Sequence, residues 1–288
     1  MDLLIYGLIN SLILALVAVG FALVYGVSRL PNFAHGALYV LTGFVAWIFL
    51  NWLGLPYPVS LVLSLLITAL VGGAIYQFIL IRVRGMPVSE IIASFAIGLA
   101  ILEFLRWAGF RGLTYTLPTL VGGTVNISWV PVDLQRIVII GVGAGVVLIL
   151  WLFTHHTKVG LGLRAIAQDE RAALMLGIDS DLAAVIALAL GSALAGLAAV
   201  VILPLGNITV KAGYDVLIFA IAVCICGGLG SWVGAVLAAF IIGYAQIITV
   251  HYIAPHFQLV VAMLAIIIIL ILRPSGLFGR QKELEERV

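Results

Sequence analysis

The sequence predicts an all-α fold, a polytopic bundle of about nine membrane-spanning helices. Three observations carry this: the composition, the length of the apolar runs, and the side on which the basic residues gather. Hydrophobic residues make up 64% of the 288 residues and charged residues only 9%, with a mean hydropathy of +1.29. A soluble domain is about half apolar and about a quarter charged, so this chain has too little polar surface to face water on all sides. The apolar runs leave no stretch for a separate folded unit, and residues 1–288 read as a single transmembrane domain. The net charge of +2 is small and its charges are scattered, which excludes a nucleic-acid surface.

About 20 apolar residues cross a bilayer as a helix, because every backbone amide must find its partner internally once water is absent. The first run, Leu3 to Val27, follows Asp2 rather than a basic residue and is too long for a signal core, so it reads as a retained span. The next seven are Ala34 to Trp52, Val59 to Ile81, Ile91 to Phe110, Ile137 to Phe153, Leu182 to Leu205, Val216 to Leu229 and Trp232 to Ile253. Phe257 to Leu272 is the last. Val216 to Leu229 is short. Making it re-entrant would reverse the chain after it and export the basic tail, so nine spans are counted, within a range of eight to ten. Cys224 and Cys226 lie in that run as buried small hydrophobes, since a disulfide between near neighbours on a helix would be strained.

With the amino terminus outside and nine crossings, ten of the fourteen basic residues fall on the cytoplasmic side. They are in the loops of Arg29, Arg82 and Arg84, in the loop of Lys158, Arg164 and Arg171, and in the tail at 273–288. Arg106, Arg111, Arg136 and Lys211 stay outside, the asymmetry that the positive-inside rule expects.

The one long charged interior stretch is Thr157 to Asp181, placed in the cytoplasm by this count. From Leu163 to Leu176 the residues favour helix, Gly177 followed by Ile178 has the form of a glycine C-cap, and Asp179 or Ser180 can cap the next span. A helix of about 14 residues is marginal alone in water, so it must pack on something. Leu163, Ile166, Ala167, Ala173 and Leu174 are expected to face the bundle. Arg164, Gln168, Arg171 and Met175 then form the opposite stripe. The stripe is either part of a solvated loop at the headgroups or a surface for a soluble partner.

Four segments carry a resemblance. Arg171-Ala172-Ala173-Leu174-Met175-Leu176-Gly177 resembles the Glu-Ala-Ala, three residues, Gly loop of ABC importer permeases, with Arg171 where the motif has Glu and Glu170 one residue early. Gly20 to Gly36, with its Asn32-Phe33-Ala34-His35-Gly36, is similar to the first helix and following loop of the branched-chain amino-acid ABC permeases, the LivH-like subunits. Cys226 to Ala235 and Leu272 to Arg280 are similar to later signatures of that family.

The resemblance implies an importer permease of the bacterial inner membrane, for branched-chain amino acids or related amino acids and amides. It implies a second related permease (the same chain or another), two cytoplasmic ATPases that hold ATP and Mg, and a periplasmic or lipid-anchored substrate-binding protein. This chain would bind no cofactor and have no catalytic site. The residues expected at the ATPase contact are Arg164, Gln168, Asp169, Glu170, Arg171, Ala172, Ala173 and Gly177. Arg111 to Asp133 is the longest outer loop and the expected contact for the binding protein.

Glycine-rich breaks inside a membrane mark either a solute path or close helix packing. One break runs from Tyr25-Gly26 through Asn32, His35 and Gly36, and the other from Gly227, Gly228, Gly230 and Ser231 through Gly234, each followed by a similar small, apolar run. Paired interruptions point to a pathway. His35 can donate, accept or carry a proton, or it can fix the loop by bonding a carbonyl. Glu103 and Arg106, three apart, can pair on one helix face, snorkel outward, or touch solute. In Gly191 to Gly196 small residues recur at helical spacing, which suits packing.

Few other charges lie within the spans, as suits a conduit driven by partner ATPases better than the alternative, a secondary carrier or channel. An intramembrane enzyme is excluded by what the motifs lack. His251 and His256 are five apart with no accompanying Glu, His155-His156 has no carboxylate beside it, and Ser231 lacks the following glycine of a nucleophile turn. No metal site is expected.

Overall fold

The structure, a computed structural model, describes residues 2–29, 31–108, 115–127 and 130–279. Its long helices are α1 (Asp2–Ser28), α2 (His35–Asn51), α3 (Tyr57–Ile75), α4 (Pro87–Ala108) and α5 (Leu134–His156). Two short helices follow, α6 (Lys158–Gln168) and α7 (Glu170–Met175), and then α8 (Ser180–Ile202), α9 (Val210–Gly227), α10 (Trp232–Tyr252) and α11 (Gln258–Leu272). A hairpin of β1 (Thr124–Ile127) and β2 (Val130–Asp133) sits before α5, with Thr124 opposite Asp133. Among the described residues, eight helical stretches are apolar and long enough to span, and α2 adds a ninth of 17 residues.

The apolar runs locate the helices, and their ends lie in polar residues that the runs exclude. α4 begins at Pro87, four residues before the apolar run, because proline suits a first turn whose amide would be unpaired anyway. α3 continues past Ile75 through a π turn, Tyr76–Leu80, and a last turn to Val83. α9 starts at Val210 rather than Val216, with the Thr209 hydroxyl accepting the Ala212 amide at 3.2 Å. Lys211 and Asp215 interrupt the apolar pattern there, yet they sit in the opening turns, and the helix is a full 18 residues.

Successive loops alternate between two ends of the bundle. At one end the Tyr57 hydroxyl donates to the Pro118 carbonyl at 2.8 Å, Ile208 N–H to Tyr115 at 2.8 Å, and the Tyr6 hydroxyl to Pro131 at 3.1 Å. At the other, Arg84 meets Glu170 and Asp181, Gly26 lies against Gly230, and Leu277 and Phe278 donate to the Cys226 and Gly227 carbonyls, both at 2.9 Å. An odd number of crossings follows.

α1 is the axis of the bundle, buried on nearly every side, while α11 lies on the periphery with Ala262 its one buried residue. Backbone-to-backbone approach fixes the centre. Gly20 on α1 meets Gly191 on α8, and a Cβ on Gly36 of α2 would run into the Gly213 carbonyl of α9. The glycines thereby permit van der Waals contact along whole helix faces, the attraction available where lipid removes the hydrophobic drive. Ser192 against Gly72 and Gly196 against Thr42 extend the same packing to α3 and α2. Cys224 and Cys226 are buried and unbridged within α9.

Candidate functional site

The polar segment folds as two capped helices rather than one. Thr157 accepts the Gly160 amide at 3.0 Å and starts α6, and Asp169, extended at φ −155°, accepts the Ala172 amide at 3.0 Å and starts α7. The single helix expected from Leu163 to Leu176 is therefore broken at Asp169. Its side chain gains a backbone N–H by leaving the helix, a competition in which aspartate favours the cap over the interior.

α7 ends as the glycine predicted. Gly177 has φ +81°, its N–H donates to Leu174 at 3.0 Å, and the Ile178 N–H donates to Ala173 at 3.1 Å. This Schellman arrangement satisfies the last carbonyls of a helix only six residues long. Asp179 then accepts two amides and caps α8.

Leu163, Ile166 and Ala173 are buried against Val27, Ala183 and Ala187, as their spacing predicts. Leu174 is not. It is 49% exposed, and with Met175 at 89% and Leu176 at 80% it forms an apolar tip projecting from the bundle. The break at Asp169 rotates α7, so a face read from one continuous helix does not hold beyond it. Gln168, Asp169, Arg171, Ala172 and Gly177 are exposed around this tip, and Ala167 and Glu170 are half-buried.

Arg84 is the residue that sequence reasoning counted but did not place in the site. From the loop after α3 its guanidinium reaches Glu170 at the start of α7, Asp181 in the first turn of α8, and the Ser180 hydroxyl at 2.8 Å. Burial alone would lower its pKa, but Tyr76, Asp181 and Glu170 outweigh that and hold it above its ordinary value. It stays charged, and it ties three segments together. A basic residue in a short loop carries no sequence signal for such a role.

Arg164 lines a cavity of about 270 Å3 together with Gln168, Gly26, Gly230, Ser231 and Phe278. Its Nε is buried and has no partner among the described residues. The second glycine break forms the cavity's far wall. Ser231 accepts the Gly234 amide at 3.1 Å and caps α10, Gly227 packs on Gly234, and Gly228 has φ +102° beside Gly276 and Gly279 of the tail. The tail segment after α11 thus straps the α9–α10 turn. Residues 280–288, with Arg280, Lys282 and Arg287, lie outside the described residues, as do 111–114, 128 and 129 of the outer loop and residues 109 and 110 of the expected fourth span.

The first break is packed rather than open. His35 is 1% exposed, its ring edge-on to Phe21, and its Nε2 lies 3.0 Å from the Val17 carbonyl of α1. A carbonyl only accepts, so Nε2 carries the proton. The other nitrogen, Nδ1, has no partner among the described residues. Asn32 accepts the Ala34 amide at 3.0 Å, and Gly36 abuts Gly213. Glu103 and Arg106 lie 3.1 Å apart on the exposed face of α4, far from the polar segment.

Comparison with known proteins agrees with this architecture. The family described as "Branched-chain amino acid transport system / permease component" matches residues 3–272. The chain is 30% identical over 285 residues to the high-affinity branched-chain amino acid transport system permease protein LivH of Salmonella typhimurium, covering 92% of this chain and 91% of that one. It is 28% identical over 291 residues to the corresponding permease protein BraD of Pseudomonas aeruginosa, covering 96% and 95%. Among solved structures, PsaBC from Streptococcus pneumoniae in complex with Fab matches with a TM-score of 0.53 at 15% identity, over 100% of this chain and 96% of that chain, which shows the fold alone.

The bundle and these matches define a transport permease, a multi-pass protein of the inner membrane. The chain belongs to the family of permease components of branched-chain amino acid transport systems.

Proposed function

We propose that this chain is the membrane subunit of an ATP-driven importer of branched-chain amino acids or closely related amino acids and amides. The observation that carries the reading is the apolar tip Leu174-Met175-Leu176, exposed on a helix that is capped at both ends and anchored by Arg84. Three large apolar side chains held out on a rigid support are a surface for a protein, since nothing in the fold itself requires them there. Arg164, with its unpartnered Nε in the adjacent cavity, adds a cation suited to a carboxylate from the same partner.

In this reading α6 and α7 face the cytoplasm and dock on an ATPase subunit that holds ATP and Mg. A second permease, identical or related, pairs with this one, and a substrate-binding protein delivers solute to the hairpin end. ATP binding draws the two ATPases together, and α7 carries the movement to the bundle through Arg84 and the Gly177–Asp179 link. The solute crosses between the permeases, where Asn32, His35, Gly36 and the 227–231 break are the candidates for its path. This chain supplies no catalytic group.

The test is reconstitution with the partner subunits in proteoliposomes, following labelled leucine. Uptake should require the binding protein and ATP, and Arg164→Glu with Arg171→Glu should leave the chain folded but separate hydrolysis from uptake. Leucine uptake by this chain without any ATPase would replace the reading with a secondary carrier or channel.

A further inference from the structure

A second cavity adjoins the segment that leads from α1 into the first glycine break. It has a volume of about 310 Å3 and opens at the α7 end, between α1, α3, α4 and α8. That lies at the lower end of the range of roughly 300–1,000 Å3 typical of small-molecule sites. Its wall is charged with both signs: Arg29, Arg84, Glu90 and Glu170 all line it, with Tyr76 and Ser180.

Two of these charges are already committed. Arg84 holds Glu170, and it holds Asp181 as well. Arg29 and Glu90 remain. Among the described residues no ion pair joins Arg29 to any carboxylate, and none joins Glu90 to any cation. Arg29 follows the last turn of α1 with φ +56°, a left-handed conformation that arginine rarely adopts, and it is exposed at the cavity mouth. Glu90 is only 9% exposed, with one carboxylate oxygen accepting the Gly85 amide at 2.7 Å. Beyond Tyr76 and Glu90 the space narrows to about 20 Å3 beside Asn32 and Ser94, room for a single water.

Among the described residues the Glu90 carboxylate has one hydrogen bond, to Gly85, and feels the charge of Arg84, while Arg29 faces the same space from the mouth without touching it, so each still offers its charge to an occupant. A simple anion would meet Glu90 with repulsion, and a simple cation would meet Arg29 likewise. A molecule that carries a primary ammonium, with N–H groups to donate, and an anionic group a few atoms apart satisfies both, whereas the quaternary ammonium of choline has no N–H to give. The geometry points to this cavity as a binding site for a small zwitterion, its ammonium on Glu90 and its anionic group on Arg29. That chemistry describes a free α-amino acid, and it also describes a phosphatidylethanolamine headgroup. Because Ile166 and Glu170 belong to the cavity wall, an occupant touches both short helices of the polar segment. Occupancy is thereby felt at the element proposed to meet the ATPase. The proposal depends on the importer reading only for which side of the membrane the mouth faces.

The test uses the full chain alone in nanodiscs, where both faces are accessible and no ATPase or binding protein is needed, so failure of the importer reading does not affect it. Labelled leucine should bind saturably in phosphatidylcholine discs. Isovalerate and isoamylamine, each carrying one of the two charges, should compete at least tenfold more weakly than leucine. Glu90→Gln keeps the acceptor for Gly85, and Arg29→Asn tolerates the left-handed backbone, so both should fold with an unchanged melting midpoint and bind leucine at least tenfold more weakly. Glu103→Gln, outside the cavity, should bind as the parent does. Displacement of leucine in discs containing phosphatidylethanolamine assigns the site to the lipid headgroup and keeps the chemistry. No saturable binding in phosphatidylcholine discs, or equal affinity in the parent and in both cavity variants, overturns the proposal.

Discussion

Replacing Met175 and Leu176 together by aspartate tests whether the tip of α7 is a docking surface. Met175 is 89% exposed and Leu176 80% exposed in this chain, so neither contributes much to its own packing. Surface changes of this kind usually alter fold stability by no more than about 0.5 kcal/mol. In a complex the account reverses. Full burial of a Leu or Met side chain is worth roughly 1.5–3 kcal/mol, and with four-fifths or more of each side chain still to be covered the pair would contribute about 2.5–5 kcal/mol. At about 1.4 kcal/mol per tenfold, the double variant should bind the ATPase roughly two to three and a half orders of magnitude more weakly. Biolayer interferometry of the ATPase on immobilised permease measures this directly, with the melting midpoint as the control for folding. Ala173→Asp gives the contrast, because Ala173 is 2% exposed against α8 and a carboxylate there should lower the melting midpoint itself. An ATPase affinity within threefold of the parent, with the midpoint unchanged, would refute the assignment of the tip.

Gly36→Val forces a side chain against the Gly213 carbonyl and should cost about 1–3 kcal/mol, read as a lower melting midpoint in detergent. Arg84→Gln removes two ion pairs that are each more than a third exposed, so the loss should stay near 1 kcal/mol in stability. ATP hydrolysis should nevertheless separate from uptake in that variant, and Arg84→Lys should recover it only in part, since lysine cannot span both carboxylates at once. Gln168→Cys, exposed beside the tip, should resist a membrane-impermeant thiol reagent applied to intact cells and react after permeabilisation. Prompt labelling from outside would invert the proposed orientation.

Composition and run length were enough to locate the nine helices, since spanning a bilayer leaves a chain little choice of backbone. The cap at Gly177, and that of α8 to within Asp179 or Ser180, were legible for a similar reason: one side chain or one missing Cβ decides a helix end locally. The break at Asp169 was not. Both a helical and a capping conformation suit Gln168-Asp169-Glu170, and the capped one places Glu170 on Arg84, 86 residues away, a contact the local sequence does not reveal. Leu174 was misplaced as a consequence, because a helical face cannot be extrapolated through a cap. The strap of Leu277 and Phe278 on Cys226 and Gly227 was hidden likewise: the glycines that admit it read equally well as a pathway or as helix packing.

α8 joins the two ends of the molecule more directly than any other element. Its 23 residues make a rod of about 35 Å. At its first turn Asp181 and Ser180 are held by Arg84, and only Gly177, Ile178 and Asp179 separate that turn from the exposed tip. Near its last turn the Val201 carbonyl accepts the buried Gln135 side chain at 2.8 Å, and the same side chain accepts the Leu120 amide of the hairpin-side loop at 2.9 Å. Between these points Gly191 seats the helix against Gly20 with backbone nearly touching backbone, so α8 cannot bend there without parting from α1. A close-packed helix fixed at both ends moves as one body or not at all. In the proposed importer, displacement applied to α7 would be delivered to the Gln135 end as displacement of the whole rod, and a load on the hairpin-side loop would return along the same path. The short link, the Arg84 clamp and the Gln135 clamp are the contacts through which the two ends would be coupled.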